Sequence, residues 1–256
     1  MRASQSLAGL HRDWTRLGEA DPLWAVCVDP ARRGGRWDPA EFLASGQAEI
    51  TALLAGLDRL GLRPGRADAL DFGCGAGRLT GALASHFAAV TGVDISAPML
   101  DQARALHAGN ERCRFVHNDG PALRMLAGES FDLVYSSLVL QHMPAGLAGG
   151  YLAEFLRVLR PGGAIVVLVP EAHRRTPRGV VYARAPHRLI GLIQRRCFGY
   201  PAPMQMHVLP ASLVQEMIEP HGGRLAATLP HPGYGGHWRM VQHVIVRDLP
   251  ARSAPG

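Results

Sequence analysis

The 256-residue chain has no lysine: all 27 of its basic side chains are arginine, set against 21 acids for a net charge of +6. That imbalance suits an acidic partner, nucleic acid or no partner at all, so charge alone leaves the function class open. The apolar residues never run together for the roughly 18 positions that a membrane span needs. The N-terminal stretch MRASQSLAGLHRDW lacks the long apolar core and cleavage site of a secretory signal. The expectation is a cytoplasmic protein with no membrane partner. Cys27, Cys74, Cys113 and Cys197 lie far apart and form no CxxC pair, which suggests neither a disulfide framework nor a zinc site. The 12 histidines include no HxxxH or HExxH pattern, so no metal is expected.

A chain this long and 47% hydrophobic can bury one sizeable core and carry an elaborated lid. Residues 1–66 read as a helical cap, in which Asp38, Pro39 and Glu41 make a helix start signal. From Ala69 onward, strand-like segments (ALDF, AVTGVDI, CRFVHN, FDLVYSS, AIVVLVP) alternate with helical ones. That alternation predicts a mostly parallel sheet covered on both faces. Residues 171–209 break the pattern and read as an insertion. A helix (ASLVQEMI) and two β-like segments (RLAATL, MVQHVIVRD) close the domain over 67–250, and 251–256 reads as a disordered tail.

The stretch LDFGCGAGRLT holds Gly73, Gly75 and Gly77 between a strand and a helix. Glycine allows positive φ and lets a ligand approach the main chain, and the first N–H groups of the following helix favour an anion. The spacing is GxGxG, which is neither the dinucleotide GxGxxG fingerprint nor a phosphate-binding loop ending in Gly-Lys-Ser/Thr. Asp94 follows 21 residues after Gly73, at the end of the second strand. A carboxylate there can accept from both hydroxyls of a ribose.

In order, LDFGCGAGRLT, VTGVDIS, FDLVYSSLVLQHMP and LRVLRPGG resemble the motifs of class I S-adenosylmethionine-dependent methyltransferases of the bacterial small-molecule type. The resemblance covers about residues 69–169 plus the last two strands. It implies a Rossmann-like, doubly wound α/β fold with a seven-stranded sheet whose last strand is antiparallel. It also implies S-adenosylmethionine as cofactor, with Gly73, Gly75 and Gly77 under its methionine part and Asp71 near its amino group. Asp94 would bind the ribose, Ile95 the adenine face, Asn118 and Asp119 the adenine edge, and Ser136 would lie near the sulfonium. Upstream, PLWAVCVDP and RWDPAEFLASG resemble cofactor-capping stretches of related enzymes, which puts Trp37 and Gly46 on the cofactor side.

The resemblance further implies methyl transfer to a small-molecule acceptor, expected to be O-methylation of a secondary metabolite or sugar. His142, directly after the fourth strand, is the candidate general base; contact with substrate or cofactor, and a structural role, stay open beside it. Gln141, His237 and Trp238 are candidate substrate contacts. Between Ala172 and Gln215 there are seven arginines and no acid, which fits an anionic or carrier-protein-bound acceptor. Leu189, Ile190, Ile193, Met204 and Met206 imply an apolar pocket or a homodimer contact beneath. Two other readings stay open: nucleic-acid methylation, supported by charge alone, and a methyltransferase-like protein that catalyses another reaction such as cyclisation.

Overall fold

The computed structural model describes residues 6–232 and 236–247; the expected tail, 251–256, lies outside the described residues. Seven strands, β1 (Asp68–Phe72), β2 (Ala89–Asp94), β3 (Cys113–His117), β4 (Phe131–Ser137), β5 (Leu159–His173), β6 (Gly223–His231) and β7 (Trp238–Arg247), form one sheet in the order β3-β2-β1-β4-β5-β7-β6. All pairings are parallel except those of β7, which runs antiparallel to both β5 and β6. The fold is thus the doubly wound, Rossmann-like one expected. Strand order reverses between β1 and β4, and ligands of such sheets bind at the carboxyl ends of the strands flanking that reversal.

The sheet is covered on both faces, as the near-continuous apolar run of β5 requires: Ala164 to Val169 are each at most 1% exposed. One face packs against α6 (Ala145–Val158) and α9 (Ala211–Ile218) through Leu152, Phe155, Val214 and Ile218. The other packs against α3 (Pro39–Arg59) and α4 (Arg78–Leu83) through Ile50, Leu57, Leu79 and Leu83. The start signal of α3 works as read: the Asp38 carboxylate accepts from the Glu41 N–H at 2.9 Å, with Pro39 in the first turn.

Two further pieces reach over the carboxyl ends of the strands. The N-terminal segment contributes α1 (Leu7–Ala20) and α2 (Pro22–Val26). α1 lies on α5 (Ala97–Leu106), where the Ser96 hydroxyl donates to the Trp14 carbonyl at 3.2 Å. Close approach there needs Gly18, because a Cβ would sit 2.9 Å from the Ser96 Oγ. The insertion after β5 is helical, forming α7 (Pro177–Arg184) and α8 (His187–Arg196). Arg33 ties the two pieces together. Its guanidinium donates to the carbonyls of Phe198 and Gly199 and lies over the rings of Trp24 and Tyr200 at 5.0 and 5.5 Å.

Candidate active site

A cavity of about 380 Å³ opens at the carboxyl ends of β1, β2 and β4, roofed by the N-terminal helices and the lid. On its floor, Gly73 and Gly75 hold φ of 73° and 52°, conformations that side chains resist. A Cβ on either would collide with Val139 or Val26, at 2.3 and 2.5 Å. Asp94 closes one side. Its carboxylate accepts from the Gly75 N–H and the Ser96 N–H, both at 2.8 Å, so it braces the glycine turn and still has lone pairs for a second set of donors. Burial raises the Asp94 carboxyl above its ordinary range, against the backbone N–H groups that lower it. Beside it, Ile95, Val93, Met99, Phe72 and Tyr151 make an apolar slot. Asn118, 5% exposed, donates to the Gly120 carbonyl at 3.1 Å and lines the same slot.

Of the residues expected to hold cofactor or substrate, Gly73, Gly75, Asp94, Ile95, Asn118, Gln141, His142 and Trp238 line this cavity. The others stand elsewhere. Gly77 (φ 83°) starts α4 and is crowded by His107, whose ring would lie 2.9 Å from a Cβ. Asp71 is buried beneath the turn, takes a 2.7 Å hydrogen bond from the Thr80 hydroxyl, and has its carboxyl pushed up to about 7 by burial. Ser136 is 1% exposed and does not line the cavity, which its neighbour Ser137 does. Asp119 is exposed. Trp37 donates to the Cys27 carbonyl at 3.1 Å and packs on Phe42 within the cap. His237 stacks on Tyr182 at 6.2 Å behind the wall.

The resemblance places Gly46 on the cofactor side, and a glycine within a helix marks a close approach. The approach is real, but its partner is protein: a Cβ on Gly46 would sit 2.4 Å from the Arg78 carbonyl. Gly46→Ala should therefore cost about 1–3 kcal/mol from overpacking, although alanine is the better helix former by about 1 kcal/mol. Urea unfolding measures this, and a stabilised variant would contradict it.

Two features were not expected from the sequence. Trp14, from α1, meets the His142 ring edge-on at 5.0 Å and lines the cavity. Glu49, from α3, is buried behind the glycine turn. One of its oxygens accepts from Arg78 at 2.8 Å, the other from the Tyr135 hydroxyl at 2.7 Å and the Ser137 hydroxyl at 2.8 Å. Burial raises the Glu49 carboxyl, but Arg78 and these hydrogen bonds outweigh it and hold the group below its ordinary range. The pair thus joins α3, the start of α4 and the end of β4 under the cavity floor. The signal was available: Glu49 shares the inward stripe of Gly46, Ile50 and Leu53, and an acid on an apolar face needs a buried partner.

A family model described as a methyltransferase domain matches residues 69–163, the stretch that builds the glycine turn, Asp94, all of β4 and the start of β5. Residues 69–163 thus form a domain of the methyltransferase family. The cofactor of these enzymes is S-adenosylmethionine, and the donor set fits it: positive-φ glycines at the floor, a carboxylate with free acceptor capacity for a diol, and an apolar slot edged by an amide. The chain is 33% identical over 169 residues to a 2-methyl-6-phytyl-1,4-hydroquinone methyltransferase of Synechocystis sp., covering 65% of this chain and 51% of that one. It is 40% identical over 121 residues to a trans-aconitate 2-methyltransferase of Deinococcus radiodurans, covering 46% and 44%. The chain thus spans about half the length of the curated relatives it matches. A solved magnesium protoporphyrin IX methyltransferase from Synechocystis PCC 6803, with bound SAH, superposes with a TM-score of 0.60 at 18% identity, covering 93% of this chain and 98% of that one; that likeness shows the fold.

A further part of the cavity wall belongs to the insertion, to the loop after β4 and to β7. Gln194 of α8 exchanges two hydrogen bonds with the Met204 backbone, at 3.2 and 3.0 Å. The segment that follows runs along the Gln141–His142 loop, with the His207 N–H donating to the Gln141 carbonyl at 2.7 Å. Met204, Met206, Met240, Tyr182 and Trp238 complete this wall. The apolar set read from the insertion therefore divides. Met204 and Met206 face the cavity and Ile190 is buried, whereas Leu189 and Ile193 are exposed. No lid arginine with a described side chain lines the cavity. Among the described residues there is no cluster of metal-ligating side chains, and no helix is long and apolar enough to cross a membrane.

Proposed function

We propose that the chain transfers a methyl group from S-adenosylmethionine to a hydroxyl oxygen of a small, mainly apolar acceptor, as in the O-methylation of a secondary metabolite. When bound, the cofactor supplies a methyl group already activated for in-line displacement. The protein's part is then to align the acceptor and exclude water, effects worth up to about 7–11 kcal/mol. The observation that carries the reading is the composition of the lining contributed by α1, the loop after β4, the insertion and β7. Trp14, Met204, Met206, Met240 and Trp238 offer a large apolar surface, and within it the Gln141 Oε1 is buried without a hydrogen-bond partner among the described residues. An acceptor O–H reaching that oxygen would satisfy it. A sugar fits this wall less well, because most of its hydroxyls would be left unpaired. Nucleic-acid methylation draws no support from the wall, since the lid arginines with described side chains lie outside it.

The expectation that His142 acts as general base takes a different form in this geometry. Its Nδ1 lies 2.6 Å from the Gln205 carbonyl and so must carry the proton and donate it, leaving Nε2 as a lone pair. Burial lowers the His142 pKa to about 4, although the Gln205 and Leu138 carbonyls favour the protonated ring. The ring is neutral across the working pH range and too weak a base to hold a proton there. The hydroxyl proton, strongly acidic once the oxygen is methylated, is released to water, and His142 lines the cavity beside the acceptor without holding that proton. His142→Gln should lower kcat by less than about tenfold, where loss of a general base would cost about 10²–10⁴-fold. The wild-type kcat profile should show no inflection near 6.5 attributable to this ring.

The reading is tested by incubating the chain with methyl-labelled S-adenosylmethionine and a metabolite extract, then partitioning the products between water and an organic solvent. Label in the organic phase is the expected result. Label confined to aqueous small molecules, to a carrier protein or to nucleic acid would overturn the apolar-acceptor reading.

A further inference from the structure

The outer surface of the lid has no part in the chemistry above. Nine large hydrophobic side chains are exposed among the described residues, and six of them lie between Val180 and Phe198. On α8, Ile190 and Gln194 turn inward, while Leu189, Leu192 and Ile193, 48%, 49% and 37% exposed, form one outward stripe at i, i+3 and i+4 spacing. Arg188, Arg195 and Arg196 are exposed around that stripe. On α7, Val180 and Val181 are exposed together with Arg184, and Phe198 projects just beyond α8 at 55% exposure. No aspartate or glutamate occurs from Ala172 to Gln215. The surface lies over the cavity: Tyr182 of α7 and Gln194 of α8 line it, and Val28, another lining residue, is 45% exposed.

We propose that α7 and α8 dock this protein on the surface of an anionic lipid bilayer. Helices that lie in a membrane interface combine an apolar stripe with arginines or lysines beside it. The guanidinium groups would pair with lipid phosphates, while Leu189, Leu192, Ile193, Val180, Val181 and Phe198 enter the boundary with the acyl chains. Charge complementarity selects this occupant. A second copy of the chain meeting the same face about a twofold axis would set arginine against arginine. An acidic protein would pair the arginines but would have to supply its own apolar surface for six protruding side chains. That no described helix is long and apolar enough to cross a bilayer says nothing against lying on one, so the inference departs from the expectation of no membrane partner. The docking surface stands on its own geometry, and only its purpose, delivery of an apolar acceptor from the bilayer to the cavity, rests on the function proposed above.

Flotation of the full chain with vesicles of phosphatidylcholine, alone or mixed with phosphatidylglycerol, tests the inference. Binding is expected to the mixed vesicles and not to the neutral ones. At about fivefold per arginine near the surface, Arg188→Gln/Arg195→Gln/Arg196→Gln should weaken it on the order of a hundredfold. Leu189→Ser/Leu192→Ser/Ile193→Ser should abolish flotation. Both variants should keep the wild-type affinity for S-adenosylhomocysteine in calorimetry, which shows that they are folded. Three results would overturn the inference: no flotation by wild type, equal flotation on neutral vesicles, or a dimer in solution that the leucine and isoleucine substitutions dissociate. If S-adenosylhomocysteine binds but vesicles do not, the docking surface fails and methyl transfer stands. If vesicles bind but S-adenosylhomocysteine does not, the reverse holds.

Discussion

Asp94→Ala should weaken S-adenosylhomocysteine binding by about 10²- to 10⁴-fold. The carboxylate braces the glycine turn through the Gly75 N–H at 2.8 Å and has acceptor capacity left for two ribose hydroxyls. Hydrogen bonds to a charged group are each worth about 1.5–3 kcal/mol, and the substitution removes two of them from the ligand as well as the brace from the turn. Asp94→Asn keeps the size and one acceptor oxygen, so its loss should be smaller. Calorimetry on both variants, with circular dichroism to confirm the fold, measures the effect. An alanine variant within threefold of wild type would mean that this carboxylate does not hold the nucleoside.

Glu49→Ala should destabilise the protein by about 3–5 kcal/mol, the usual cost of removing one partner from a buried ion pair. Arg78 and Glu49 are 4% and 8% exposed at their side chains and meet at 2.8 Å. Removing the carboxylate also takes the acceptor from the hydroxyls of Tyr135 and Ser137. Because the folded Glu49 carboxyl is held below its ordinary range, its contribution is fully present above the unfolded value near about 4.3 and is lost as pH falls through the folded one. The gap between wild type and variant in urea midpoint should therefore be wide at neutral pH and narrow in acid. A change under about 1 kcal/mol at pH 7 would show that the network is not what holds the cavity floor.

The sheet was legible in the sequence because each strand and helix announces itself locally: the buried part of β5, residues 164–169, is a short continuous apolar run, and period and turn residues mark the rest. The glycine turn and Asp94 were legible for the same reason, since their positions are set by one strand-turn-helix unit and the next. Relations between distant segments were harder to read. Gly46 signalled a close approach, but nothing nearby in sequence says that the approaching group is the Arg78 carbonyl. Glu49 acquires meaning only when α3 lies across β4. The lid read as an irregular basic insertion, because its helices are short and rich in arginine and proline. Which of Leu189, Ile190 and Ile193 face inward depends on what α8 packs against.

The central claim is that the cavity at the ends of β1, β2 and β4 holds S-adenosylmethionine. Equilibrium titration of the wild-type chain with S-adenosylhomocysteine tests it most directly. One saturable site per chain, blocked by competing S-adenosylmethionine, is the expected result. No binding by the folded chain would contradict the account.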